Sequence, residues 1–347
     1  MLEFKENISL LPYNTLRIDV KARYFVEIST LEELQEFFKS PFFSMKKCIL
    51  GWGANTLFMS DFEGIVIKIS LKGIQKEGNT DIDLGKVHLK VNAWEDWQEF
   101  VRYCGENGYA GIENLAGIPG QVWTAPVSNI GAYGMEVKNC IYAVEWYNLE
   151  NKEFKIFSHD ECQFEYRGSI FKKQLSSKFL ITAVTFELEK FSENYKFTLN
   201  YPDVQKKLEE KKIQESDLTL SWVSSLIEEI RNNKLPNPKE IGTAWSFFAN
   251  PIIKKSEFSS LIEKFPQLKF YPCEDAEKVK LSAWQLIDLA GMKGFQLWDA
   301  WVSEKHALIL IHKEWNAENL LKVAELVQEK VFKMFNVKLL PEVVYVS

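Results

Sequence analysis

The chain has 347 residues, of which 46% are hydrophobic and 26% charged, a balance typical of a soluble globular protein of about two to three domains. Its formal net charge of −6 disfavours a general nucleic-acid or anionic-membrane surface. No apolar run approaches the roughly 18 residues of a membrane span, and 1–14 has no long apolar stretch, so we expect neither a membrane helix nor a signal peptide. Five scattered cysteines without a C-x-x-C pair favour a cytoplasmic location.

Helical and strand patterns are mixed along the first two thirds of the chain. A capping box at 30–33 predicts a short helix, the run 47–50 predicts a buried strand, and apolar residues at helical spacing predict a helix over 97–104. Strands are predicted at about 140–149 and 179–189. A charged helical region over 200–235 then ends at a Leu-Pro-Asn-Pro segment, which is our predicted domain boundary.

The last third predicts a compact unit of helices and strands. We expect helices at about 256–264, 282–290 and 317–335, and strands at about 306–311 and 337–346. In the last helix we expect a buried face of Leu320, Leu321, Ala324, Val327, Val331 and Met334.

Two glycine-rich turns stand out, at 51–56 and 117–134. The second lies in a stretch of little periodicity, 111–136, and a long irregular segment in a compact domain is usually functional. Glycines let backbone N–H groups approach a phosphate, so two such turns suggest a cofactor with a pyrophosphate. The first turn is not a G-x-G-x-x-G motif and no helix follows it at once, so ordinary tight turns remain the alternative.

Three polar side chains lie in settings where they could carry chemistry, although each has a plain structural alternative. Arg167 follows Tyr166 beside a turn and could be a surface ion pair; Ser246 precedes two phenylalanines and could be a strand hydroxyl. Glu342 follows a proline in the last strand, where a solvated edge is the alternative. The four histidines show no metal-ligand spacing, so we expect no metal.

Seven segments, taken in their order along the chain, resemble the UDP-N-acetylenolpyruvoylglucosamine reductases. These are FAD enzymes that form UDP-N-acetylmuramate for peptidoglycan. The resemblance covers essentially the whole chain. The segments are NTLRI at 14–18, ILGWGAN at 49–55, GIENLAGIPG at 111–120, NIGAYG at 129–134, YRGSIF at 166–171, SFFANP at 246–251 and PEV at 341–343.

The resemblance implies an α+β fold with a two-subdomain FAD-binding module of the vanillyl-alcohol-oxidase type and a C-terminal α+β substrate-binding domain. We place the module at 1–195, split near 70, and the strand 338–347 could rejoin it. Residues 196–235 would hold connecting helices and the tyrosine loop of the longer subclass, although Pro202 stands where that subclass usually has glycine. Residues 236–337 would form the substrate-binding domain.

The resemblance also implies site residues. Ser246 resembles the family's proton donor, and Arg167 and Glu342 resemble the pair that polarises the enolpyruvyl carboxylate. The implied FAD-binding residues are Gly51, Gly53, Ala54, Asn55, Thr56, Ile118, Pro119, Gly120, Thr124, Ala125, Asn129, Ile130, Gly131 and Tyr133. The implied substrate-binding residues are Tyr166, Tyr201, Lys234, Asn250, Tyr271 and His306.

In the activity that the resemblance implies, NADPH reduces FAD, the flavin N5 delivers hydride to the enolpyruvyl group, and Ser246 supplies the proton. The expected partner is a small nucleotide-sugar substrate, with no nucleic acid and no membrane, and we expect a monomer.

Tryptophan is unusually frequent and glycine unusually rare. The chain has 11 tryptophans and 17 glycines, where a typical glycine fraction of about 7% would give about 24. Trp97 matches a tryptophan of the family. Eight others stand where the family typically has glycine: Trp52, Trp94, Trp123, Trp245, Trp284, Trp298, Trp301 and Trp315.

Three explanations of these tryptophans are open. The chain could be a flavin-free homologue that binds a nucleotide-sugar or a partner without catalysis. The substitutions could be compensated elsewhere. Alternatively, the eight codons are UGA in an organism that reads UGA as glycine, which would return the glycine count to the usual fraction; UGG codons there would exclude this explanation.

Overall fold

A computed structural model describes residues 2–78, 85–175, 178–244, 246–273, 275–314 and 317–347. Contacts divide the chain into two compact units. The first unit comprises Met1–Glu6, Tyr24–Trp52 and Gly64–Asn233, and the second comprises Asn7–Arg23, Gly53–Glu63 and Lys234–Ser347.

The described residues contain both helices and strands throughout. In chain order the strands are β1 (Phe4–Ser9), β2 (Lys21–Ile28), β3 (Lys47–Leu50), β4 (Thr56–Phe58), β5 (Phe62–Ile69), β6 (Ile74–Lys76), β7 (Lys86–Asn92), β8 (Tyr109–Ala110), β9 (Gly131–Ala132), β10 (Met135–Glu136), β11 (Ile141–Asn148), β12 (Phe154–Ser158), β13 (Phe179–Lys190), β14 (Gly242–Ala244), β15 (Ile252–Lys254), β16 (Phe270–Pro272), β17 (Lys278–Leu281), β18 (Gln296–Leu297), β19 (Ala300–Val302), β20 (Leu310–His312) and β21 (Val344–Val346). The α-helices are α1 (Leu31–Lys39), α2 (Trp97–Glu106), α3 (Thr124–Ser128), α4 (Ile170–Lys173), α5 (Pro202–Lys211), α6 (Leu220–Lys234), α7 (Lys255–Lys264), α8 (Ala283–Leu289) and α9 (Glu318–Phe335).

The first unit is built mainly on a sheet in the order β12-β11-β13-β7-β6, with β8 also paired to β13. β13 is central and its first eight residues are all buried, as expected for a strand with neighbours on both sides. Helix α2 packs on this sheet: the ring centre of Phe100 in α2 lies 4.8 Å from that of Phe186 in β13. A second sheet has the order β1-β2-β5-β3, and β3 pairs with β5 in parallel.

Two local predictions from this region are confirmed. Helix α1 begins after Thr30, whose hydroxyl accepts the Glu33 N–H at 3.1 Å. The Glu33 carboxylate accepts the N–H of Ser29 at 2.7 Å, one residue before the N-cap position of a standard capping box. The predicted strands at 47–50, 140–149 and 179–189 correspond to β3, β11 and β13.

The stretch 111–136 is more ordered than its sequence predicts. It contains a 3₁₀ turn at Glu113–Leu115, the short helix α3 and the hairpin β9–β10. Tyr133 and Gly134 form the hairpin turn with φ of 46° and 83°, and two positive φ values are what a two-residue hairpin requires. Elements this short show no periodicity, which is why the sequence reads as irregular.

The second unit combines small sheets with the long helix α9. The sheets have the orders β14-β20-β19-β18 and β15-β17-β16, and β21 pairs in parallel with β4. The predicted strands at 306–311 and 337–346 are wrong in extent, because 303–309 forms turns and the C-terminal segment forms a strand only at 344–346, with an isolated bridge at Pro341.

The buried face of α9 also differs from the prediction. Met334 is exposed and Leu321 is only partly buried, because the helix turns Val323 and Phe335 inward instead. The buried residues of α9 are Leu320, Val323, Ala324, Val327, Val331 and Phe335.

The contact units divide the chain differently from the predicted domains in two segments. Residues 7–23 and 53–63 belong with the C-terminal unit, although they were predicted within the module 1–195. Backbone bonds explain this grouping, since the Thr243 N–H donates to Thr15 O at 2.9 Å and the Val344 N–H donates to Asn55 O at 2.7 Å. Within the described ranges, no helix combines the length and apolar character needed to cross a membrane.

Candidate functional site

Gly53, a predicted cofactor residue, is held tightly by the protein's own backbone in the second unit. Its φ is 63°, and a Cβ added to it would lie 2.2 Å from the Tyr13 carbonyl oxygen. The Gly53 carbonyl accepts the Thr15 N–H at 3.2 Å, and the Thr15 hydroxyl donates to Ala54 O at 3.1 Å. The segments around 14 and 54 therefore form one turn structure that only glycine at 53 permits.

Replacing Gly53 by alanine should destabilise the second unit by about 2–5 kcal/mol, because left-handed φ strain adds to a clash with backbone that cannot move aside. Gly291→Ala is the matched control: its φ is 71°, but among the described residues other than its chain neighbours no atom lies within 4 Å of the added Cβ. That change should cost only about 1–2 kcal/mol. Urea unfolding measures both, and equal losses would contradict the clash.

The remaining predicted residues of the first turn lead into a parallel strand pair. Thr56 begins β4 and pairs with Val344 of β21. The Asn55 carbonyl accepts the Val344 N–H at 2.7 Å. The turn is thereby fixed to the C-terminal segment that carries Glu342.

Ser246 and Glu342 lie on segments that pair with each other. The Glu342 N–H donates to the Phe247 carbonyl at 2.8 Å, and the Ala249 N–H donates to Leu340 O at 2.9 Å. Both Ser246 and Glu342 are partly buried, while Phe247 is fully buried. The second unit therefore places Ser246 and Glu342 on two neighbouring segments that are hydrogen-bonded to each other.

The predicted substrate residues of this unit are spread over several elements. The Asn250 side-chain oxygen accepts the Ala283 N–H at 2.8 Å at the start of α8. Tyr271 is exposed on β16, and the Lys280 ammonium lies 5.9 Å from its ring centre. The His306 ring lies 6.3 Å from that of Trp284. Lys234 ends α6, and its side chain lies outside the described part of the structure.

In the first unit, Arg167 meets the second glycine turn. It has a φ of 56°, and its Nη2 donates to the Gly131 carbonyl at 2.6 Å. Its guanidinium lies 5.5 Å from the ring centre of Tyr166. A non-glycine residue with positive φ costs energy and is common at functional sites, so this geometry supports a positioned cation.

The other predicted cofactor residues of the second turn are mostly held by local bonds. The Asn129 amide donates to Glu136 at 2.9 Å and to Glu165 O at 2.9 Å, and its oxygen accepts the Lys138 N–H at 3.1 Å. The Thr124 hydroxyl donates to Gln121 O at 2.7 Å. Ile118 packs on the hydrophobic core, Ala125 is buried and Pro119 is partly buried. The Gly120 carbonyl accepts the backbone N–H of Trp97, and the backbone N–H of Ile130 donates to the Ala125 carbonyl.

Tyr201 lies beside Tyr133, as a loop that folds over the glycine turn would require. The two ring centres are 5.4 Å apart. The Asn114 amide donates to Tyr133 O at 3.0 Å and to Thr198 O at 2.7 Å, which joins the hairpin to the segment before Tyr201. The Asn114 oxygen is buried and has no partner among the described residues.

Sequence reasoning missed Arg231, on α6. Its Nε donates to the Gly117 carbonyl at 2.9 Å, its guanidinium interacts with the Tyr133 hydroxyl, and its charge is close enough to that of Arg167 to repel it. Burial lowers the pKa of Arg231 and raises that of Tyr133. A charged residue in a helix gives no sequence signal of such a contact, since most face solvent.

The first unit fits a large anionic cofactor. Two guanidinium groups contact the glycine backbone of the second turn, and such groups suit phosphate. The buried Asn114 oxygen is an acceptor and suits an N–H group of a polar ring system. Within the described ranges, no group of three or more His, Cys, Asp or Glu side chains could hold a metal ion.

Trp123 is the exception to this fit. A Cβ built on Gly51 would lie 3.1 Å from the Trp123 indole nitrogen, so the indole covers Gly51. Its ring also lies 5.4 Å from that of Trp94, whose buried indole N–H has no partner among the described residues. Indole side chains therefore fill space beside the first glycine turn.

The remaining tryptophans at family glycine positions have varied surroundings. Trp298 has a φ of 53° in the turn between β18 and β19 and is 68% exposed, a conformation and exposure that suit glycine better than tryptophan. Trp52 is 44% exposed, and Trp284 and Trp301 are partly buried. Trp245 and Trp315 lie outside the described residues.

Comparison with known proteins gives consistent matches. Residues 237–346 match the family model described as UDP-N-acetylenolpyruvoylglucosamine reductase, C-terminal domain. The chain is 41% identical to the UDP-N-acetylenolpyruvoylglucosamine reductase of Flavobacterium johnsoniae over 345 residues, covering 99% of each chain. It is 36% identical to the reductase of Bacteroides fragilis over 343 residues, covering 99% of this chain and 100% of the other.

The fold is also found in a solved structure. The crystal structure of UDP-N-acetylenolpyruvylglucosamine reductase from Thermus caldophilus matches with a TM-score of 0.67 at 20% identity, covering 100% of both chains. The α+β fold class predicted from the sequence is confirmed.

Fold and site together define an α+β protein with two glycine-rich turns and arginines poised for an anionic cofactor. Given the full-length identity to its relatives, the chain belongs to the UDP-N-acetylenolpyruvoylglucosamine reductase family.

Proposed function

We propose that this protein reduces UDP-N-acetylenolpyruvoylglucosamine to UDP-N-acetylmuramate, a peptidoglycan precursor, with FAD as cofactor and NADPH as reductant. The observation that carries the proposal is the 41% identity over 99% of both chains to a curated reductase. We also propose that the chain acts as a monomer in the cytoplasm. The alternative, a flavin-free homologue that binds a nucleotide-sugar without catalysis, is not favoured, because these relatives are named as reductases.

FAD, when bound, supplies the two-electron reduction of the substrate's double bond. We assign it to the predicted residues of the two glycine turns, where backbone N–H groups, Tyr133 and Asn129 lie. Gly53 contributes through the turn that its backbone permits rather than through a side chain. The close packing of Gly53 on Tyr13 fixes the conformation of this turn.

Arg167 is assigned to the carboxylate of the enolpyruvyl group. Negative charge develops on that carboxylate and the adjacent carbon as the double bond is reduced, and a fixed cation stabilises it. The bond from Nη2 to Gly131 O, 2.6 Å long, holds the guanidinium in place before the substrate arrives, so little reorganisation is needed. Glu342 is assigned to the same carboxylate as a hydrogen-bonding partner.

Ser246 is assigned as the proton donor to the carbon that becomes electron-rich. Its backbone is held by the pairing of Phe247 and Ala249 with 340–342, which supports a precise hydroxyl position. For the diphosphate we propose Lys234 and Asn250, and for the nucleotide Tyr201 and Tyr271. Tyr166 and His306 are proposed as further substrate contacts.

The test compares NADPH oxidation by purified protein with and without UDP-N-acetylenolpyruvoylglucosamine, together with mass spectrometry of the product. We expect FAD in the protein and a strong acceleration by this substrate. Oxidation that proceeds equally without the nucleotide-sugar would indicate another FAD oxidase, and a protein that never retains flavin would indicate a non-catalytic homologue; either result contradicts the proposal.

A further inference from the structure

The side chain of Asn129 connects two segments of the candidate site within the first unit. Asn129 is fully buried and has a φ of 41°. Its amide donates one hydrogen to the Glu136 carboxylate at 2.9 Å and the other to the Glu165 carbonyl at 2.9 Å. Its oxygen accepts the Lys138 N–H at 3.1 Å. Both amide hydrogens are therefore used inside the protein.

The Glu165 carbonyl lies at the base of the turn that carries Arg167. The Glu165 N–H donates to Gly168 O at 3.0 Å, and the Gly168 N–H donates to Glu165 O at 3.2 Å. Arg167 lies within this turn with a φ of 56°, a conformation that a non-glycine residue keeps only where its surroundings enforce it. The bond from Asn129 ties the base of the turn to the buried part of the first unit.

The guanidinium of Arg167 returns to the same segment as Asn129. Its Nη2 donates to the carbonyl of Gly131, two residues after Asn129, at 2.6 Å. A Cβ added to Gly131 would lie 3.0 Å from Nη1 of Arg167, so the guanidinium packs directly on this backbone. The two segments are thus joined at both ends, and loss of the Asn129 bonds would loosen the end from which Arg167 extends.

We propose that Asn129 is a positioning residue for Arg167: its buried amide fixes the turn from which the guanidinium reaches the substrate carboxylate. This role rests on the proposed function. It differs from the FAD contact that the sequence resemblance implies for the Asn129 side chain, because both amide hydrogens are already donated. A cation held in place before charge develops stabilises that charge without rearrangement, so a loosened Arg167 should slow reduction of the substrate and not reduction of the flavin.

The test replaces Asn129 by glycine, which keeps the positive φ and removes both donors. It uses the FAD-loaded protein, with glycine at the eight tryptophan positions if only that form retains flavin. Stopped-flow absorbance should show flavin reoxidation by UDP-N-acetylenolpyruvoylglucosamine slowed about tenfold to 10²-fold, the cost of a small misplacement of a catalytic group. Reduction by NADPH should be unchanged. Asn336→Gly is the matched control, because Asn336 has a φ of 55° and is exposed at the end of α9.

Repeating the change together with Arg167→Gln separates positioning from a general structural role. Without the guanidinium, Asn129 has nothing to position, so Asn129→Gly should then slow substrate reduction less than about twofold further. A further loss of about tenfold in that background would overturn the proposal, because the two residues would then act independently.

Chemical modification gives a second readout that needs no substrate. Phenylglyoxal reacts with guanidinium groups, and peptide mass spectrometry follows each arginine separately. Arg167 should react about fivefold faster in Asn129→Gly than in the parent, the equivalent of about one lost hydrogen bond. Arg102, a surface arginine of α2 paired with Glu99, is the internal reference and should react equally in both proteins. An unchanged reactivity of Arg167 would overturn the proposal.

Asn129→Asp is the second variant if Asn129→Gly loses flavin. It keeps an oxygen for the Lys138 N–H and lacks both donors when ionised. Protonation restores one donor, so its rate of substrate reduction relative to the parent should rise as the pH falls. A pH dependence identical to that of the parent, or loss of FAD from this variant as well, would overturn the proposal.

These readouts separate the positioning role from the proposed function. A parent protein whose NADPH oxidation ignores the nucleotide-sugar would end the reductase function, while faster modification of Arg167 in Asn129→Gly would still support its positioning by Asn129. A parent that reduces the nucleotide-sugar, with Asn129→Gly reducing it at the same rate, would overturn the positioning role and leave the reductase function standing.

Discussion

Substituting glycine for Trp52 and Trp123 together should tighten FAD binding at least about 30-fold relative to the tryptophan-containing chain. The Trp123 indole covers Gly51 and stacks near Trp94, so it occupies space beside the first glycine turn. Overfilling a packed site costs about 1–3 kcal/mol for each side chain, and two such changes correspond to roughly 30-fold to 10⁴-fold in affinity. Fluorescence titration of the apoprotein with FAD measures the effect.

Trp298→Gly is the matched control for this pair. Its tryptophan has a φ of 53° in an exposed turn of the second unit, so glycine should relieve strain and stabilise the fold by about 1 kcal/mol. It should leave the FAD affinity unchanged. Equal FAD affinity of the printed chain and the Trp52→Gly/Trp123→Gly variant would contradict the expected obstruction.

The gene provides an independent check of the same idea. If the eight tryptophans are glycine in the cell, their codons are UGA, and mass spectrometry of the native protein should find glycine at each position. UGG codons would exclude this explanation and leave either compensated substitution or a flavin-free homologue.

Replacing Ser246 by alanine should slow substrate reduction by about 10²–10³-fold, because one positioned donor in the transition state is worth about 3–4 kcal/mol. Reduction of the flavin by NADPH should stay unchanged, since the hydroxyl is assigned to the second half of the reaction only. Stopped-flow absorbance of the flavin separates the two half-reactions.

Ser259→Ala controls for loss of a serine hydroxyl in the same unit. Ser259 lies exposed on α7, where its hydroxyl donates to Lys255 O at 3.0 Å, and its removal should affect neither half-reaction. A Ser246→Ala protein that reduces the substrate within about threefold of the parent rate would remove Ser246 from the proton-donor role.

Helices and strands with a strong local pattern were predictable from the sequence. The helix start at Thr30, the apolar stripe of α2 and the strand at 47–50 each depend on neighbouring residues alone, and each is present, although only Leu50 of β3 is fully buried. The site residues were found by another route, because seven short segments matched a known family in order. Arg167, Ser246 and Glu342 carried no decisive local signal of their own.

What the sequence determined by itself was the α+β class, the local elements and the family, because these depend on periodicity, capping and motif order within short stretches of chain. Only the tertiary structure decided that 7–23 and 53–63 pack with the C-terminal unit, that Glu342 pairs with the segment of Ser246, and that Arg231 meets Gly117 and Tyr133. These arrangements depend on contacts between residues separated by as many as 296 positions, such as Leu16 and His312. Backbone bonds and close packing at that range leave no periodic trace in the sequence.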